Sequence, residues 1–338
     1  MKPSSLIPGG LIPEALAPWL AGLLLVAVAA ASLFIGRVNV SPMTLIHGFQ
    51  SPGPSLAVLV VTELRAPRAL LAILVGGALG LSGAVLQGLL RNPLAEPGLL
   101  GVSGGAAVGA AIAIYFGLAQ AFPLATPMLG LVGALGAGLL TFSFGRGGTL
   151  TLILAGAAVS GLMGAFLALA VNFAPSPYAA YEMNIWMLGS LSERSWDHIL
   201  LAAPFMIGGM AILSFTGRAL DALALGEVQA LSLGIDVDRT RILTLLGVGL
   251  AVGAATSVTG AIGFIGLVAP HLVRPFVGHV PSKTLLPSFM LGAVLLLAAD
   301  ILTRVIPTTT ELRLGVITSL VGAPFFFWLI RRLQRVAP

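Results

Sequence analysis

The 338-residue chain is 57% hydrophobic and only 9% charged, with a mean hydropathy of +1.05. Soluble globular domains carry about 25% charged residues, so this composition excludes a water-soluble fold and makes lipid the solvent for most of the chain. A net charge of +5 would suggest nucleic acid in a soluble protein, but here the basic residues stand between apolar runs, where positive-inside bias accounts for them.

In chain order, the segment before Trp19 holds Pro3, Pro8, Pro13, Pro18 and one lysine. It lacks a signal-peptide layout, so the following run reads as a retained first crossing. Apolar runs punctuated by Pro, Gly and charge predict ten crossings, near 17–35, 69–90, 99–118, 126–144, 149–172, 196–215, 241–259, 261–277, 285–303 and 312–330. Strand-type alternation is missing, so the expected class is an all-α integral membrane protein, a single transmembrane domain over 1–338. The 43 glycines supply close-packing surfaces, as at Gly76 with Gly80, Gly105 with Gly109, and Gly260, Gly263 and Gly266. Cysteine is absent, which removes disulfides and thiolate metal sites.

Starting inside, ten crossings place Lys2, Arg91, Arg146, Arg218, Arg239, Arg241, Arg274, Lys283, Arg331, Arg332 and Arg335 on the cytoplasmic side. Arg37, Arg65, Arg68, Arg194, Arg304 and Arg313 fall on the other side. This bias predicts that both termini are cytoplasmic. Two connections are long. The outer one, 173–195, carries Tyr178, Tyr181 and Trp186, which fit either an interface belt or substrate contact. The inner one, 216–240, is the most polar segment, with a helix-like middle from Asp221 to Leu233. A short similarity between Ser82-Gly83-Ala84 and Thr259-Gly260-Ala261 hints at an internal repeat.

Within the inner connection, Leu225, Gly226, Glu227, Ala230, Leu233 and Gly234 frame a short amphipathic helix. Such a helix either docks in a groove of a soluble partner or lies on lipid headgroups. Asn92 and Leu94 follow the second crossing, and Thr149, Leu150 and Thr151 begin the fifth; the small polar and branched side chains suit a constriction, and Asn92 and the threonines equally suit helix-end caps. Arg65, Arg68 and Arg304 either snorkel to the headgroups or offer forked bonds to carboxylates. Asp300, one turn before Arg304, reads as an orienting ion-pair partner. His271 and His279 are too few for a metal site, and no phosphate-cradling GxxxxGK[ST] loop is present, so this chain is not itself an ATPase.

Six ordered blocks carry a resemblance: the Arg65/Arg68 pair with RNPLAEPGLLGVS at 91–103, WMLGSL at 186–191, LGEVQALSLG at 225–234, GAIGFIGL with APHLVR at 260–274, Ala299-Asp300, and GAPF at 322–325. Together they resemble the FecCD-type permeases of ABC importers for iron-siderophore complexes, haem and cobalamin. The resemblance implies the type II importer architecture and a non-enzymatic, channel-forming subunit of the bacterial inner membrane. It implies a homodimer, two ATP-binding subunits that hold the ATP and Mg, and a periplasmic or lipid-anchored substrate-binding protein. No cofactor is expected on this chain. By the same resemblance, Arg65, Arg68 and Arg304 receive acidic residues of the binding protein. Residues 225–233 form the coupling helix, with Glu227 its polar contact. Asn92, Leu94 and Thr149–Thr151 flank a cytoplasmic gate, and the cargo, a metal chelate with iron-siderophore first, passes along 155–166. A secondary transporter is the rival reading and requires ionisable groups buried at mid-membrane. A membrane-embedded enzyme would need clustered nucleophiles, acids or ligands.

Overall fold

The computed structural model describes residues 16–50, 53, 55–145, 147–308 and 311–336. Lys2, Pro3, Pro8, Pro13 and Arg146 lie outside the described residues. Sixteen α-helices follow in chain order: α1 (Ala17–Phe34), α2 (Pro42–Gln50), α3 (Leu56–Leu59), α4 (Ala66–Leu89), α5 (Val102–Tyr115), α6 (Leu118–Ala121), α7 (Ala125–Phe144) and α8 (Thr149–Asn172). Next come α9 (Pro177–Met187), α10 (Trp196–Ser214), α11 (Gly217–Ala224), α12 (Glu227–Ser232), α13 (Val237–Thr259), α14 (Ile265–Val273), α15 (Pro281–Val305) and α16 (Leu314–Val336). No strand occurs among the described residues. The protein is an all-α membrane protein.

Local chemistry sets the helix starts. Proline opens α4, α9 and α15, where its missing N–H and fixed φ cost nothing. Ser55, Ser176 and Asp236 each accept a backbone N–H of the first turn, filling an orphan donor. Ser195 and His198 form a reciprocal capping box at the head of α10.

Among the described residues, seven helices are long and apolar enough to span a bilayer, and α1 and α5 are shorter apolar helices. Three expectations need correction. The second crossing starts earlier than residue 69: α3 runs through a π-helical turn, Val60–Arg65, into α4, giving 34 continuous residues. The crossing expected at 261–277 is only partly helical: residues 261–264 are non-helical and lead into the nine-residue α14, which alone extends about 13 Å, and together they carry the chain from the end where Gly260 meets Trp186 to the end where Ser282 meets Asp221. The helix expected from Asp221 to Leu233 is split into α11 and α12 by Gly226, whose φ of 124° no L side chain adopts cheaply. The repeat hint also fails locally, because Ser82–Ala84 lies inside α4 whereas Gly260 ends α13.

The core forms where small residues let helices meet. α4 is the most enclosed span and packs antiparallel on α15. A Cβ at Gly76 would run into the carbonyl of Gly292, and one at Gly80 into the carbonyl of Ser288. Gly105 and Gly109 meet the backbone of α7 in the same way, and Gly209 meets α13. Between the spans, two segments fold in beside the middle of α4: the connection 92–101, and the non-helical 261–264 leading into the head of α14. Gly266 stands against Leu79, Gly83 and Pro97, while Leu99 and Gly101 reach Gly156 and Val159 of α8. Irregular backbone at such depth is tolerated because protein, not lipid, surrounds it.

Candidate functional site: the two ends of the bundle and an uncovered apolar face

Because α4 and α15 are antiparallel, the head of α4 and the tail of α15 share one end of the bundle. There, Arg65, Arg68 and Arg304 come together. Arg68 Nε donates to Asp300 Oδ1 at 2.8 Å, and its Nη2 reaches Thr303 Oγ1 at 3.1 Å and the carboxylate of Glu311. Arg304 Nη2 lies 3.0 Å from Asp300 Oδ2 and 2.6 Å from Ser32 Oγ. Its Nη1 donates to the carbonyls of Ser32 at 2.9 Å and Ile35 at 3.1 Å. Arg65 caps the tail of α1, donating to Leu33 O at 3.0 Å, Phe34 O at 2.8 Å and Val38 O. Asp300 is fully buried and bridges two guanidinium groups, more than the single partner expected from its spacing. All three arginines are thus satisfied within the chain and pin α1, α4 and α15 to one another. Arg37 is the exposed arginine beside them, bonded to Thr308 O at 3.3 Å.

Glu311 lies in the connection before α16. Burial alone would raise its pKa, but the hydrogen bond and charge of Arg68, with hydrogen bonds from Ser192 and Thr303, hold its carboxyl below the ordinary value of 4.5. Sequence reasoning missed Glu311 and Ser32. Their partners are 243 and 272 residues away, and no local period records such pairing.

The opposite end carries α11 and α12. Asp221 Oδ1 accepts the N–H of Ser282 at 2.8 Å, tying α11 to the head of α15, and Leu220 is fully buried. On α12, Ala230 is buried whereas Val228 and Leu231 are exposed, as are Leu225 before it and Leu233 after it. Glu227 Oε1 accepts from Arg241 Nη2 at 2.9 Å, and Arg241 Nη1 also donates to Asp238 Oδ1 at 2.9 Å. Arg241 therefore straps the short helix to the first turn of α13. Sequence reasoning counted this arginine only as a loop charge. Gly234 closes α12 with a φ of 80°.

The gate candidates lie at this end, in two separate settings. Asn92 Oδ1 accepts the N–H of Leu94 at 2.9 Å, a local turn bond. Leu94 packs with Leu267, Val268 and Leu329. Thr149 and Thr151 are half-buried in the first turn of α8, with Leu150 exposed between them. No hydrogen bond joins the two sets among the described residues.

α8 and α16 bury little of their surface inside the chain. Leu154, Leu162 and Phe166 project from α8, and Leu320, Val321, Phe327 and Trp328 from α16. A cavity of about 1290 Å³ opens beside α16, between Leu188, Ala261, Gly315, Leu320, Phe327 and Arg331. Apart from Arg331 its wall is uncharged. One acid sits deeper than sequence reasoning placed it: the Glu96 carboxylate accepts the N–H of Phe264 where the two folded-in segments meet.

A multi-span helical subunit with an uncovered apolar face and one apolar-tipped helix at an end has the build of a transport permease. Residues 23–332 match the FecCD transport family, and the chain belongs to it: it is an ABC importer permease. It is 38% identical over 317 residues to the hemin transport system permease protein HmuU of Yersinia pestis, covering 92% of this chain and 93% of that one. It is 40% identical over 316 residues to the vitamin B12 import system permease protein BtuC of Vibrio cholerae, covering 91% and 92%. The solved structure of a metal-chelate type ABC transporter in an inward-facing conformation superposes with a TM-score of 0.81, at 32% identity, over 93% of this chain and 98% of that one.

Proposed function

We propose that this permease works as a homodimer with two ATP-binding subunits and imports a metal chelate, an iron-siderophore complex first among its cargoes. The carrying observation is the pair of under-covered helices, α8 and α16, both with exposed apolar side chains, and the almost charge-free cavity beside α16. A second copy would cover part of this face, and the remainder would form a wall along 155–166 on which a bulky chelate slides without tight binding. The similarity to a haem permease and a cobalamin permease is of the same order, so haem and cobalamin stand as the alternative cargoes. The discriminating experiment identifies the partner binding protein and its ligand. A bound siderophore supports the reading, and a bound tetrapyrrole or corrinoid replaces it.

In this reading α12 is the contact for the ATP-binding subunit, which holds the ATP and Mg. Its exposed apolar side chains Val228 and Leu231, with the flanking Leu225 and Leu233, fit a partner's groove, and Glu227 with Arg241 passes the displacement to α13. The end holding α12 faces the cytoplasm, with both chain termini on that side. Asn92, Leu94 and Thr149–Thr151 line the approach to the inner opening. The other end faces the binding protein, and Arg65, Arg68 and Arg304 shape its docking surface by fixing the ends of α1, α4 and α15. Capture of the binding protein by folded Arg68→Lys permease tests this, because lysine keeps the charge and loses the fork. Weaker capture supports the role, and unchanged capture removes Arg68 from it.

Glu96 is the observation that favours an ion-gradient mechanism, since a membrane carboxylate suits a proton relay. Under the proposed mechanism Glu96→Gln leaves ATP-driven uptake in place; wild-type uptake driven by an imposed proton gradient without ATP hydrolysis, and lost in Glu96→Gln, would shift the reading to secondary transport.

A further inference from the structure

Beside the arginine cluster, at the same end of the bundle, lies a second cavity of about 270 Å³. It sits between α9, the head of α10, the tail of α13 and the residue before α16. Glu182, Trp186, Glu193, Arg194, His198 and Arg313 line it. Unlike the arginines of the cluster, Arg194 is not satisfied. Its Nε is buried without a hydrogen-bond partner, and among the described residues no hydrogen bond or ion pair engages its guanidinium. Burial pushes that guanidinium below the ordinary arginine value; Glu193 opposes the shift, and the like charge of Arg313 adds to it. Glu193 is exposed at the rim, in a left-handed conformation with φ of 61°. His198 is already engaged, its Nδ1 lying 3.0 Å from Ser195 Oγ.

Arg194 and Arg313 share this cavity with Glu182 and Glu193, so its wall is charge-balanced, and the feature that calls for an acceptor is the orphan buried donor of Arg194, to which neither acid is bonded. A guanidinium presents its N–H groups in a planar fork that matches the two oxygens of a carboxylate. We propose that Arg194 and Arg313 form a carboxylate-binding site at the end of the permease that carries the arginine cluster. The carboxylate comes either from an acid group of the passing chelate or from a side chain of the docked binding protein, so the source, though not the site, rests on the importer reading. With α9 as one wall, an occupant would bridge α9 and α10 to the loop before α16.

The test is a malonate titration of the permease with its ATP-binding subunit in nanodiscs, with chloride at matched ionic strength as control. Saturable malonate binding that weakens about tenfold or more in Arg194→Gln and in Arg313→Gln is the expected result. Absence of saturable binding, or binding unchanged in either folded variant, overturns the site. Arg313→Gln carries the test alone if Arg194→Gln fails to assemble. On the same nanodiscs, malonate that reduces capture of the binding protein assigns the carboxylate to that protein. Unchanged capture with reduced cargo uptake assigns it to the chelate. ATP-dependent uptake is read separately, so malonate binding without such uptake keeps the site and removes the importer reading.

Discussion

Asp300 has no exposed surface and holds Arg68 at 2.8 Å and Arg304 at 3.0 Å. Removing one member of a buried ion network leaves uncompensated charge, which costs about 3–5 kcal/mol. Asp300→Ala should therefore lower the thermal unfolding midpoint sharply, whereas Arg37→Ala, at an exposed position, should leave it nearly unchanged. Equal midpoints for the two variants would show that the triad is not a structural tie. Glu311 adds a pH dependence of known sign. Its folded pKa lies below the ordinary 4.5, so its contribution is fully present above that value and is lost as pH falls through the lower folded one. Stability of the wild type should drop on acidification below pH 4.5, and Glu311→Gln should flatten that drop. The sequence made the arginines and Asp300 visible because charge is rare in apolar runs. It could not show that their donors point inward, because Ser32 and Glu311 meet them only through the packing of distant helices.

At the scale of elements, the glycines separate into those with contacts and those without. Gly80 lies against the carbonyl of Ser288, whereas a Cβ at Gly249 in α13 would meet nothing within 4 Å. Gly80→Ala should destabilise by about 1–3 kcal/mol, and Gly249→Ala should stabilise by roughly 0.5–1 kcal/mol. Denaturant unfolding of the two variants in the same detergent checks both signs. The short helix α12 carries the other prediction at this scale. Arg241→Ala cuts its strap to α13, so ATP hydrolysis by the assembled complex should persist while uptake falls about tenfold or more. Uptake that falls only in proportion to hydrolysis would return Arg241 to a purely local role. Long spans such as α8, α10 and α15 were legible because an apolar run longer than 18 residues has one economical fold in lipid. The short length of α14 was not, since hydropathy reports apolarity and is blind to the non-helical backbone of residues 261–264 that precedes it. Gly226 was legible as a boundary of the inner helix, but not as the break that separates α11 from α12.

At the scale of the whole molecule, the proposed function makes the chain an apolar scaffold driven from the end that holds α12. The sequence motifs already placed the chain among ABC importer permeases, and the family match agrees. What they could not place was the uncovered face of α8 and α16, since outward and inward apolar residues look alike when lipid is the solvent. The most direct measurement of the central claim is chelate uptake into proteoliposomes holding the permease and its binding protein, with and without the ATP-hydrolysing subunit. The account predicts accumulation against a gradient only when that subunit is present and turning over ATP. Uphill accumulation by the permease in its absence would contradict it.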